Sequence, residues 1–287
     1  MLLKTVKSKK DIFYLMNKYL SAVSRVEAEM LLEYLFDCAK PDLYIRDFIV
    51  NDMVEELYDS LIERRLEGEP VQYITGRAEF MGFDFIVTKD TLIPRPETEM
   101  LADEIYDCCR RQSAAVPCIL DLCTGSGNIA VSLAKLMPQA EITAADISEA
   151  ALKIAEKNAE RHNVSDRIKF YKGNVFNALV VVKNPKFDII VCNPPYIKKA
   201  ELPYLQKEVR QEPEIALNGG EDGLDFYRII AGQARKYLKK NGGIFLEIGF
   251  GQRQAVEDIF SSYNIFKIHK IIKDFSGIER VMWINLL

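Results

Sequence analysis

Apolar residues recur at helical spacing in the first quarter of the chain. Ile12, Leu15, Met16, Tyr19 and Leu20 mark one helix face, and Val54, Leu57, Tyr58, Leu61 and Ile62 repeat it. Between them, Ser24 and Glu27 form a capping-box pattern ahead of Met30, Leu31, Tyr34 and Leu35. Pro41 interrupts this run, and a short helix is expected over 43–48. These stripes predict a small helical bundle over residues 1–70, in which each apolar residue reads as core packing. The period then changes. Residues 71–74 read as a strand and Gly76 as a turn. Phe80, then Phe83, Phe85 and Val87 around Gly82, read as a hairpin, the last three alternating as in a half-buried strand. Residues 71–92 are therefore expected to form a β-hairpin joint. Pro96 can open a helix at its first position, and that helix is expected to run to Arg111.

From there the pattern alternates strand and helix. Strands are expected at 118–123, 141–147, 168–171, 187–192, 242–248, 266–272 and 280–286. Helices are expected after residue 128, over 149–161 and from residue 252. Alternation of this kind predicts an α/β domain over 93–287. The last two strands, around Gly277, read as a reversed hairpin on an otherwise parallel sheet. This arrangement is similar to the class I (Rossmann-like) plan of S-adenosylmethionine-dependent methyltransferases, with a mostly parallel seven-stranded sheet.

Composition narrows the function classes. The 287 residues are 48% hydrophobic and 28% charged, which are globular values. A formal net charge of −4 argues against a surface built mainly for a phosphate backbone, so no direct nucleic-acid binding is expected. Six cysteines show no zinc-like or redox spacing, and Cys118, Cys123 and Cys192 fall in expected strands. With only His162 and His269 available, neither a histidine metal site nor a Ser-His-Asp arrangement is expected. Lys4, Lys7, Lys9 and Lys10 make the N-terminus basic, but no signal-peptide core or bilayer-length run follows. The expectation is a cytoplasmic monomer with no membrane partner.

The candidate chemistry gathers at strand ends. Strand 118–123 runs into Thr124-Gly125-Ser126-Gly127-Asn128 and then a helix, the unit that cradles ligands in doubly wound folds. Asp146 follows Gly127 by 19 residues, near the spacing of a carboxylate that binds ribose hydroxyls. Asn174 falls in a loop where an adenine ring could lie. Asp121, just before the glycine turn, points away from a nicotinamide enzyme. The fourth strand ends in Asn193-Pro194-Pro195-Tyr196. Proline holds the residue before it extended, which pins Asn193 at a sheet edge. Its side-chain carbonyl and the Pro194 carbonyl are two rigid acceptors, suited to holding a planar NH₂ group still. The plainer reading is a proline-rich turn closing a core strand. Arg95, between Pro94 and Pro96, is either a guanidinium in a rigid surface turn or a carboxylate-recognising site residue.

These motifs together resemble the HemK/PrmC-type protein-(glutamine-N5) methyltransferases, which modify the glutamine of the Gly-Gly-Gln tripeptide in peptide chain release factors. Glu69 to Gly76 with Glu79-Phe80 resembles the family's domain joint, and Leu92-Ile93-Pro94-Arg95-Pro96-Glu97-Thr98-Glu99 its most distinctive signature. Glu208-Val209-Arg210, Glu212-Pro213 and Ala216 to Leu224 resemble its loop after the Asn-Pro-Pro-Tyr motif. The resemblance implies S-adenosyl-L-methionine as cofactor, held by Asp121, Cys123, Thr124, Gly125, Ser126, Gly127, Asp146, Asn174, Val175 and Asn193. It implies Asn193, Pro194 and Tyr196 as catalytic residues, with Pro195 and Arg95 joining them at the substrate. It also implies release factors as the protein partner, gripped by the N-terminal bundle. Two departures stand out. Cys123 replaces a usual glycine, which is awkward if φ is positive there. Val175 supplies no aromatic ring for adenine.

The chemistry so implied needs no general base. An amide nitrogen is a poor nucleophile, and a sulfonium methyl is already reactive, so orientation is the expected contribution. Three rival readings remain: a ribosomal-protein glutamine methyltransferase, an adenine amino methyltransferase, which would need a basic channel for a flipped base, and a non-enzymatic module that kept the fold.

Overall fold

The computed structural model describes residues 11–111 and 116–287, so the basic cluster at Lys4 to Lys10 lies outside the described residues. The chain divides into two compact units. One runs to Gly76 and includes Lys207–Gln211; the other comprises Arg77–Gln206 and Glu212–Leu287. Among the described residues, no helix is long and apolar enough to cross a membrane.

The first unit is helical: α1 (Ile12–Lys18), α2 (Arg25–Phe36), α3 (Asp42–Ile45), α4 (Asp52–Leu66) and α5 (Val71–Thr75). Side-chain caps set where these helices begin. Asp11 accepts from the Tyr14 amide, Asn51 from that of Val54, and Ser24 and Glu27 form a complete capping box. Helix α1 stops at Lys18, so the first stripe is cut short. Ile12, Leu15 and Met16 are buried, while Leu20 is exposed. Tyr34 and Leu57 are likewise exposed, and the inward faces are Ala28, Leu31 and Leu32 on α2 and Tyr58, Leu61 and Ile62 on α4. The short helix expected over 43–48 is the single turn α3.

The strand expected at 71–74 is instead helix α5. Pro70 precedes it, and Gly76 closes it in the left-handed region at φ 71°. A helix brings Val71 and Ile74 to one face, where both enter the cluster that holds Leu31 and Ile62. A strand would point them to opposite sides. Burying each such side chain is worth roughly 1.5–3 kcal/mol, more than any intrinsic β-preference of Val and Ile. Within the same unit, Arg65 binds Glu27 at 2.6 Å and Glu208 at 2.8 Å, and Lys207 Nζ donates to the Leu66 carbonyl.

The second unit opens with the hairpin β1 (Arg77–Phe80) and β2 (Phe83–Ile86), paired antiparallel with Phe80 opposite Phe83. Its two-residue turn has φ 55° at Met81 and 72° at Gly82, the positive pair a type I′ turn requires. Then follow α6 (Pro96–Arg111), β3 (Cys118–Leu122), α7 (Asn128–Leu136), β4 (Glu141–Asp146), α8 (Glu149–Arg161), β5 (Ile168–Lys172) and β6 (Phe187–Cys192). Helix α9 (Asp225–Gln233), β7 (Leu238–Glu247), α10 (Arg253–Ser261), β8 (Phe266–Lys273) and β9 (Glu279–Leu286) complete it. The seven-stranded sheet has the order β5-β4-β3-β6-β7-β9-β8. β8 and β9 form the expected antiparallel hairpin around Gly277, and its second strand, β9, inserted between β7 and β8, is the one that runs against the rest of the sheet. Cores cover both faces. Leu101, Ile105, Val131 and Phe245 belong to one, and Leu120, Ile190, Tyr227 and Phe260 to the other. The chain leaves β3 first towards β4 and β5, then returns to β6 on the other side. That reversal opens a crevice at the strands' C-terminal ends, where α/β sheets bind ligands.

Candidate active site

A cavity partly open to solvent lies at this crevice. Its walls bring together Cys123 and Gly125 after β3, Asp146 at the end of β4, Asn174 and Val175 after β5, and Asn193 and Pro195 after β6. The other expected site residues are not among those lining it. Asp121, Thr124 and Ser126 are buried behind the glycine turn. The Thr124 hydroxyl donates to Asp121 Oδ2 at 2.6 Å. Burial pushes the Asp121 carboxyl up to about 7, against the hydrogen bond from Thr124. Gly127 packs closely against α8: a Cβ there would stand 2.9 Å from the Ala155 Cβ.

Asp146 is held in place by backbone donors. One carboxylate oxygen accepts the Gly125 amide and the other the Ser148 amide, each at 2.8 Å. The Ile147 amide is a third backbone donor to this carboxylate, which keeps acceptor capacity for a hydroxyl. Burial raises its pKa, opposed by these backbone donors. Gly125 has open space where a Cβ would be, so a ligand can approach the backbone itself. Apolar Ile147, Val175, Ile215 and Phe226 line the remainder and suit a flat heterocycle. Phe226 is an aromatic ring that local sequence reasoning could not place, because it arrives from α9. Donor set, open glycine and apolar walls fit S-adenosylmethionine.

Among the described residues, two of the eight non-glycine residues with positive φ line this cavity. Cys123 has φ 58° and Val175 φ 48°. Cys123 therefore lies just beyond β3 rather than within it. The left-handed region costs a non-glycine residue roughly 1–2 kcal/mol, and a β-branched residue there is an outlier.

Asn193 is held from behind. Its Nδ2 donates to Thr98 Oγ1 at 3.0 Å, and the Thr98 hydroxyl donates to Glu247 Oε2 at 2.6 Å. The Tyr196 hydroxyl donates to the other oxygen of Glu247 at 3.4 Å. Thr98 and Glu247 are almost wholly buried. Burial pushes Glu247 up to about 7, with Thr98 and Arg280 opposing the shift. Tyr196 is buried enough to hold its phenol well above its usual pKa, with the nearby Glu247 acting in the same direction. The Tyr196 backbone is hemmed in by glycines: a Cβ at Gly219 would stand 2.7 Å from its Cα, and one at Gly223 2.4 Å from its carbonyl oxygen. Gln252 Nε2 donates to that same carbonyl at 2.9 Å.

The charged residues of the Pro-Arg-Pro-Glu-Thr-Glu stretch work inward. Arg95 pairs with the buried Glu212, whose other oxygen accepts the Ile93 amide at 3.1 Å. Arg95 is thus engaged by its own chain, and it ties the loop after Asn-Pro-Pro-Tyr to the segment before α6. Glu99 accepts the Met81 amide of the hairpin turn at 2.8 Å. Asn158, fully buried on α8, accepts from the Ile86 amide and donates to the carbonyls of Ile86 and Ser126. Sequence reasoning missed Thr98, Asn158 and Glu247 as site-forming residues. The one local signal was a carboxylate, Glu247, inside an apolar strand.

Two family descriptions match the chain: a PrmC N-terminal domain over residues 14–76 and a methyltransferase domain over residues 118–266. The release factor glutamine methyltransferase of Thermodesulfovibrio yellowstonii is 42% identical, over 89% of this chain and 90% of that protein. That of Geobacter sulfurreducens is 40% identical, over 90% and 88%. A bifunctional methyltransferase of Rickettsia felis is 40% identical, over 93% of this chain and 55% of that longer protein. A solved methyltransferase structure from Pyrococcus furiosus shares the fold, with a TM-score of 0.52 at 18% identity over 79% of this chain and 98% of its own. Relatives at this identity, aligned over nearly their full length, show that the chain belongs to the release factor glutamine methyltransferase family.

Proposed function

We propose that this protein transfers a methyl group from S-adenosylmethionine to the side-chain amide nitrogen of the glutamine in the Gly-Gly-Gln motif of peptide chain release factors. The observation that carries this reading is that Asn193 lines the same cavity as Gly125 and Asp146. A group that can hold an amide thus adjoins a site fitted to a nucleoside. When bound, S-adenosylmethionine supplies a methyl group activated by its sulfonium.

The protein's contribution is orientation. Asn193 Oδ1 and the Pro194 carbonyl accept the two N–H bonds of the glutamine amide, restricting its rotation and aiming the nitrogen lone pair. Fixing two reactants in an in-line geometry replaces a bimolecular encounter, an effect worth up to roughly 7–11 kcal/mol. Carbonyl dipoles also favour the positive charge that develops on nitrogen. Asp146 and Gly125 hold the nucleoside end, and Cys123 and Val175 shape the wall beside it. The helical unit, matched to the PrmC N-terminal domain, serves as the grip on the release factor, with the hairpin after it as a joint.

The reading is tested by incubating the protein with methyl-labelled S-adenosylmethionine and purified release factor, alongside a release factor whose tripeptide glutamine is alanine. Label on the first and none on the second supports it. Label on a ribosomal protein or on DNA instead, with none on release factor, would overturn it.

A further inference from the structure

The Asn193 amide has two ends of similar shape and opposite polarity, and only one suits a substrate NH₂. If Oδ1 faces the glutamine, it accepts. If Nδ2 faces it, two donors meet and the substrate is repelled. A neighbouring group must therefore decide the orientation, and the buried chain behind Asn193 does so. Glu247 as a carboxylate can only accept, so the Thr98 hydroxyl must spend its single proton on it. Thr98 Oγ1 is then left as an acceptor, and it takes Nδ2 of Asn193. Oδ1 is thereby left for the substrate. We propose that Thr98 and Glu247 are positioning residues that set the polarity of the Asn193 amide, so that its carbonyl and not its NH₂ group meets the glutamine to be methylated. The inference rests on the function proposed above and extends it to residues outside the cavity wall.

Placement supports this role. Thr98 lies in the first turn of α6 and Glu247 is the last residue of β7, so rigid elements hold both. An ionisable side chain this deeply buried is costly unless it has a task or a partner. Its neighbours are Thr98 and Glu97 from α6, Tyr196 from the motif, Tyr227 from α9 and Arg280 from β9. Arg280 favours the ionised form, while Glu97 and burial disfavour it. A protonated Glu247 would donate to Thr98 and free the threonine proton for Asn193 Oδ1. The amide would then turn and offer NH₂ to the substrate. The relay is therefore correct only when Glu247 is ionised.

The test compares Thr98→Val, Thr98→Ser and Glu247→Gln with the wild type. It follows kcat and KM on release factor, cofactor affinity by calorimetry, and hydrogen exchange of the Asn193 side-chain NH₂ by NMR, its signals identified with Asn193→Ala. Thr98→Val is expected to lower kcat by about 100-fold, the scale of losing one aimed dipole. Its cofactor affinity should stay within about twofold, and Thr98→Ser should restore most of the rate. The Asn193 NH₂ should exchange faster in the valine variant. The wild-type kcat should fall as pH drops through the Glu247 titration, and Glu247→Gln should lack that limb. A valine variant with near wild-type kcat would overturn the proposal. So would parallel loss of rate and cofactor binding without rescue by serine. A wild type inert on release factor, whose Asn193 NH₂ protection still depends on Thr98, would sink the substrate reading and leave the relay standing.

Discussion

From a fully buried position on α8, the Asn158 side-chain amide donates to the carbonyl of Ser126 at 2.9 Å. One α8 residue thus fastens the glycine turn, and through Ile86 it fastens the hairpin as well. Asn158→Ala strands one donor and two carbonyls in a dry interior, at about 1–3 kcal/mol each before relaxation. We expect a loss of about 2–4 kcal/mol in urea unfolding. Cofactor affinity should weaken by roughly tenfold, one lost hydrogen bond of positioning. Unchanged calorimetric affinity in a destabilised variant would confine Asn158 to the fold.

The strained wall makes opposite predictions for its two residues. Cys123→Gly relieves about 1–2 kcal/mol of left-handed strain and costs roughly 0.5–1 kcal/mol of chain entropy. The net should be a gain of about 0.5–1 kcal/mol in stability. Val175→Gly relieves the same strain but forfeits a buried side chain worth roughly 1.5–3 kcal/mol. It should destabilise. A Cys123→Gly variant that melted below the wild type would contradict the strain assignment at Cys123.

Glu247 should leave a signature in stability as well as in rate. Its carboxyl lies at about 7 when folded, against an ordinary 4.5. The folded protein therefore holds a proton that the unfolded chain releases between those values, and stability falls as pH rises through that window. Glu247→Gln removes this dependence. Its melting temperature relative to wild type should be higher at pH 8 than at pH 5. A difference that did not vary with pH would show that the folded-state pKa is not raised.

Arg95 and Glu212 join the segment before α6 to the loop after Asn-Pro-Pro-Tyr. Glu212→Gln weakens the grip on Arg95 but can keep an acceptor for the Ile93 amide. We expect KM for release factor to rise by about 5–20-fold, roughly 1–2 kcal/mol of lost positioning. Cofactor affinity should change less than twofold. Cofactor affinity that fell as much as KM rose would mean the pair shapes the nucleoside end instead.

What the sequence makes legible follows from how local each cause is. The capping box at Ser24 and Glu27, the start of α6 at Pro96 and the pinning of Asn193 by Pro194 all act within a few residues. The first two stand in the structure as read. Residues 71–74 were ambiguous because a short apolar run suits either period. Contact with α2 and α4 decided the matter. The partners of Asn193 were illegible for a different reason. Thr98 lies 95 positions from Asn193, and Glu247 lies 149 from Thr98. Only closure of the sheet brings them together. Arg95 was readable as constrained, but its partner Glu212 lies 117 positions away.

The helical unit is not contiguous: it includes Lys207–Gln211, where Glu208 supplies the second partner of Arg65. During synthesis, α1 to α5 emerge first, but Glu208 does not exist until β1 to β6 have been made. Arg65 waits through that interval with Glu27 alone. A fragment ending at Gly76 would therefore lack the second partner of Arg65, and a peptide carrying 207–211 could supply it.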